Sequence, residues 1–118
     1  MELNRLKKIS FCGNAKDEII SFGEGSRDAG FQLDRVQRGL DPTDWKPMKS
    51  VGQGVKEIRF TENKLAHRVI YVAKFEEAVY VLHAFTKKAQ KTPKANLVIA
   101  TERFKELQKW RTSQRKKS

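Results

Sequence analysis

Apolar residues recur along this chain in two rhythms, and each rhythm predicts a different kind of element. Lys8–Cys12 (KISFC) is a short apolar run stopped by Gly13, which predicts a strand. Asn14 is suited to cap a short helix reaching about Ser21, after which Gly23 and Gly25 break the chain. From Ser26 to about Leu40 the apolar positions Ala29, Leu33, Val36 and Leu40 recur at helical spacing and share one face. Gly39 and Asp41-Pro42 end that helix. Residues 41–54 hold two prolines and two glycines and read as a loop.

Three strands follow. Val55–Thr61 alternates, with Ile58 and Phe60 opposite Glu57 and Arg59. Ala66–Phe75 and Ala78–Thr86 are apolar on both faces, as central strands are. The intervening turns, Glu62-Asn63-Lys64 and Glu76-Glu77, are short enough to make an antiparallel meander. Thr92 and Pro93 then suit the start of a last helix with an apolar stripe at Leu97, Ala100, Phe104 and Leu107, which Trp110 can extend. The expected fold is α+β. It is a single domain over residues 1–118, with an N-terminal strand, a helical hairpin, a three-strand meander and a C-terminal helix, and residues 112–118 are a frayed basic tail.

Charge changes the picture. The 118 residues carry a net charge of +11, and residues 86–118 hold 11 of the 25 basic residues against only Glu102 and Glu106. An excess this concentrated favours a polyanionic partner, with a merely solvated surface as the alternative. No apolar stretch approaches the roughly 18 residues of a membrane-spanning helix. The lone Cys12 cannot form an intrachain disulfide and suits a small buried position at the strand end. No apolar segment follows the charged Met1–Lys8, so cytoplasmic residence is expected.

The chemistry on offer is narrow. Gly52-Gln53-Gly54 precedes a strand, so it cannot aim a helix N-terminus at phosphate. Cys12, His67 and His83 make no metal-ligand cluster, and Glu76-Glu77 reads as a solvated turn. Arg59, Arg68, Lys87 and Lys88 lie on strands that can bring them together. Such cations repel one another unless an anion binds, and guanidinium suits a phosphodiester. The alternative pairs Arg68 with Glu57 and leaves the lysines in water. His83 is the best-placed general acid or base by its ordinary titration range, or else a hydrogen-bonded core residue. Trp45, Tyr71, Phe85 and Trp110 are stacking candidates or core.

The stretches FQLDRVQRGLDPTDWKPMKSVGQGVKEIRF and HRVIYVAKFEEAVYVLHAFTKKAQKTPKANLVIATERFKEL closely resemble the phage-derived, HigB-like branch of the RelE/ParE toxin superfamily. The resemblance implies a RelE-like sheet with its helices and the toxin of a type II toxin–antitoxin pair. It also implies ribosome-dependent cleavage of mRNA by its own 2′-hydroxyl, without a metal or small-molecule cofactor. The implied partners are a helix-turn-helix antitoxin, ribosomal RNA and mRNA, and no membrane. The family's basic strand positions fall on Arg59 and Arg68, and the basic residue after the last strand on Lys87 or Lys88. In the mechanism this suggests, those cations hold the phosphate and His83 or Glu57 takes the 2′-hydroxyl proton. Lys46 and Lys49, with Lys91, Lys94, Lys105 and Lys109 before and on the last helix, would grip ribosomal RNA. Two alternatives remain: a gyrase inhibitor of the ParE kind, and a degenerate module that only binds antitoxin or nucleic acid.

Overall fold

The computed structural model describes residues 6–88 and 93–117. The elements are β1 (Lys8–Phe11), α1 (Ala15–Ile20), α2 (Gly25–Gln37), β2 (Trp45–Pro47), β3 (Val55–Glu62), β4 (Leu65–Val72), β5 (Ala78–Lys87) and α3 (Lys94–Lys117). The strands form one mixed sheet in the order β1-β5-β4-β3-β2. β1 runs parallel to β5, and every other neighbouring pair is antiparallel.

The α+β class holds, but the sequence predicts four strands and the structure has five. The extra strand lies inside the stretch read as a loop, where Trp45 pairs with Ile58 and Lys46 with Glu57. Pro47 is tolerated because β2 is an edge strand, where a missing N–H interrupts no ladder on the open side. α2 stops at Gln37, so Leu40 leaves the helical stripe and is exposed. Asn14 precedes α1 but makes no side-chain capping bond. α3 runs to Lys117, through the stretch read as a frayed tail. Thr92 falls outside the described residues.

The two apolar faces of β4 and β5 have separate coverings. On one face Val69, Tyr71, Val79 and Val81 pack under Ile19 of α1 and Leu33 and Val36 of α2. On the other, Ile70, Val72, Tyr80 and Leu82 pack under Ala100, Phe104 and Leu107 of α3. Burial on both sides is what drives continuous apolar runs instead of alternation. A bulge opposite the Ile70–Tyr71 step adds Leu82 to β5, so Ile70 pairs with His83 and Tyr71 with Val81.

A polar network ties the layers together. Glu18 Oε1 of α1 accepts from His83 Nδ1 (2.9 Å), the Ala84 amide (3.1 Å) and Arg103 Nη1 (2.9 Å). His83 Nε2 lies 2.6 Å from Asn96 Oδ1 of α3. Burial opposes ionisation of Glu18, yet the bonds from Arg103 and Ala84 and the nearby His83 hold its carboxyl below the ordinary range. Arg103 reaches this position across Gly13, whose φ of +55° and lack of a side chain both matter: a Cβ there would sit 2.6 Å from Arg103 Nε.

Candidate functional site

α3 buries only part of the sheet face on which it lies. The uncovered part belongs to the β3–β4 hairpin and the end of β5. Side chains opposed across antiparallel strands share a face about 5 Å apart. Arg59 is the direct partner of Arg68, Arg68 of Phe85, and Ala66 of Lys87. Lys46 enters from β2 beside Glu57. The result is an open cleft of about 850 Å³ lined by Lys46, Arg59, Lys64, Arg68, Lys87 and Lys88, with Leu65 and Ala66 completing it and no acidic side chain in its lining.

Two opposed arginines repel, and the carboxylates near them compensate loosely. Asp44 Oδ1 lies 3.5 Å from Arg59 Nε, and Glu57 Oε1 lies 3.9 Å from Arg68 Nε. Both Nε atoms are buried without a hydrogen-bond partner among the described residues. Arg68 instead donates from Nη1 to the His67 carbonyl at 2.9 Å. Burial lowers the Arg68 pKa, Glu57 opposes this, and Arg59 adds to it. Lys87 is likewise held below the ordinary lysine range, by desolvation first and then by Arg68, with Lys46 and Arg59 adding their repulsion. A phosphate entering the cleft would relieve this crowding and meet guanidinium groups already oriented by the sheet.

The structure therefore unites Arg59, Arg68, Lys87 and Lys88, and it adds Lys46, expected only as a grip on ribosomal RNA. It does not bring His83 or Glu57 to the cleft surface. His83 is 4% exposed, held by Glu18 and Asn96, and stacks on Phe85 at 5.3 Å between ring centroids. Glu57 has no exposed surface and lies beneath the arginines. The bulge pairs His83 with Ile70, within the packed part of the sheet, and Glu57 stays under the Arg68 side chain.

Lys49 is exposed on the β2–β3 loop, and Lys94, Lys105 and Lys109 are exposed on α3, outside the cleft. Lys91 lies outside the described residues. Of the aromatic candidates, Tyr71 and Phe85 are buried, Trp110 is exposed, and Trp45 lies on the edge strand with Lys56 Nζ 4.3 Å from its ring centroid. Sequence reasoning missed Lys64. It sits in a hairpin turn, and only the register of β3 on β4 shows that the turn hangs beside the arginines. Glu77, read as solvated, accepts from Arg111 Nε at 2.6 Å and from the Tyr80 hydroxyl at 2.8 Å, which drops its pKa to about 2.

Residues 18–105 match the model of the family described as phage-derived protein Gp49-like. That span runs from the α1 carboxylate of the buried network, through every described cleft residue, to the middle of α3. The chain belongs to the Gp49-like family. Gp49-like proteins are associated with RelE-like toxins of toxin–antitoxin pairs. A comparison with curated proteins finds no match. No helix of this Gp49-like protein is long and apolar enough to cross a membrane among the described residues.

Proposed function

We propose that this protein is the toxin of a type II toxin–antitoxin pair, of the HigB-like kind, and that its cleft binds mRNA on the ribosome and cleaves it. The observation that carries the reading is the six-cation cleft built on the in-register Arg59–Arg68 pair. In the reaction, the 2′-oxygen bonds to phosphorus while the bond from phosphorus to the 5′-oxygen breaks, leaving a 2′,3′-cyclic phosphate and a 5′-hydroxyl. Arg59 and Arg68 hold the phosphate and stabilise the charge that builds on its oxygens. Lys87, whose amine is more easily neutralised than an ordinary lysine's, accepts the 2′-hydroxyl proton. Lys88 or water protonates the leaving oxygen. Of the two residues expected as proton acceptors, Glu57 serves here as a positioning residue beside Arg68, and His83 belongs to the buried network with Glu18 and Asn96. An acidic surface on a helix-turn-helix antitoxin would neutralise the same cations.

The absence of an imidazole or carboxylate from the described cleft lining favours a second reading, in which the protein occupies RNA without cutting it. Induced expression without antitoxin, followed by mapping of mRNA 5′ ends on ribosomes, separates the two. Codon-linked cuts that fall at least about 100-fold with Arg68→Ala, in line with the loss of one transition-state donor, support the nuclease. Growth arrest without new 5′ ends supports the block, and altered DNA topology would overturn both in favour of gyrase.

A further inference from the structure

A second basic cavity, of about 510 Å³, opens on the opposite face of the sheet between the end of α2, the start of β3 and the end of β4. The phenol of Tyr71 lines it. This side chain is 1% exposed and lies at the back of the cavity. Lys7, Arg38, Lys56 and Lys74 line the same cavity, against the single carboxylate of Asp41. Lys7 is tied to the Ala73 and Phe75 carbonyls, Arg38 to Asp34 outside the lining and Lys56 to Asp41, yet a lining of four cations and one acid keeps an excess of positive charge that suits a phosphate.

The two cavities lie back to back across the sheet edge. Lys56 faces Tyr71 across the β3–β4 ladder on the α2 side, and Lys46 faces Glu57 on the α3 side. The link is Trp45, next to Lys46 in the chain and beneath the Lys56 ammonium. It lies on the last strand of the sheet, with no further strand beyond it. An aromatic ring flanked by cations between two basic cavities has the composition of a single-strand track.

We propose that a single RNA strand seated in the arginine cleft continues around the β2 edge, stacks on Trp45, and places a second phosphate in the Tyr71 cavity. The proposal rests on the RNA reading of the first cleft and extends it to a substrate of several consecutive nucleotides. Asp41, 3.1 Å from Lys56 Nζ, would be displaced as the phosphate arrives.

The test is anisotropy of labelled, uncleavable 2′-O-methyl RNA, a trinucleotide against a dodecanucleotide, across a salt series. The double variant Arg38→Ala/Lys74→Ala is expected to weaken the long strand several-fold and reduce its salt slope by about 1, leaving the trinucleotide unchanged. Tyr71→Phe, which removes only the hydroxyl, is expected to weaken the long strand alone. Asp41→Asn is expected to tighten it, which a merely structural role would not do. Equal effects on both lengths, or none on either, overturn the track. So does a loss confined to intact ribosomes, which would assign the cavity to a separate RNA. If Arg68→Ala leaves trinucleotide binding unchanged, the failure lies instead with the RNA reading of the arginine cleft.

Discussion

Glu18 is the residue on which the inner architecture converges, since one carboxylate oxygen receives donors from β5 and α3 at once. Its folded pKa lies below its unfolded value, so its stabilisation is fully present above about pH 4.5 and fades as pH falls through the folded value. Glu18→Gln is expected to cost about 1 kcal/mol at neutral pH, the difference between charge-assisted and neutral hydrogen bonds. The cost should shrink as pH falls below about 4.5 and through the lowered folded value, in urea titrations followed by circular dichroism; a gap that stays constant with pH would remove Glu18's charge from the account. None of this was legible in the sequence, where Glu18 is one acid in a short polar helix. Its importance depends on a contact with His83, 65 residues away in sequence.

At the scale of elements, the β3–β4 hairpin shows a local preference set aside. Asn63 and Lys64 both have positive φ, 52° and 67°, in a two-residue turn where glycine is the favoured second residue. Lysine there carries strain of about 1 kcal/mol and lines the cleft. Lys64→Gly is therefore expected to raise stability by about that amount and, under the proposed function, to weaken RNA binding, read by thermal melting and anisotropy on the same sample. Loss of both, or gain of both, would separate the turn from the cleft. The meander, α2 and the buried stripe of α3 were all readable from apolar spacing, because burial of one or both faces sets that spacing directly. β2 was not. Three residues ending on a proline carry no period, and only pairing with β3 makes Trp45–Pro47 a strand. The arginine pair was legible as types on strands. That it excludes His83 and Glu57 was not, since the bulge at Leu82 and the reach of α3 are decided by packing.

Across the whole molecule, charge divides between placement and attraction. The cleft cations are fixed by the sheet, whereas Lys105 and Lys109 stand exposed on α3. Under the proposed function, Lys105→Gln/Lys109→Gln is expected to slow association with ribosomes and reduce the salt slope by about 2, with single-turnover cleavage unchanged. An unaltered slope in stopped-flow binding would confine the RNA contact to the sheet. Among the described residues, the opening third of the chain joins the sheet only through β1, against β5: Lys8 pairs with Ala78 and Phe11 with Val81. Such a pairing closes a loop of some 70 residues, which slows folding relative to local contacts. During synthesis β1 must wait until β5 has left the exit tunnel, and β5 also delivers Lys87. Under the proposed function, the same late event that completes the sheet also completes the cleft, so a chain whose β5 is still in the exit tunnel has no assembled site to turn on the ribosome that makes it.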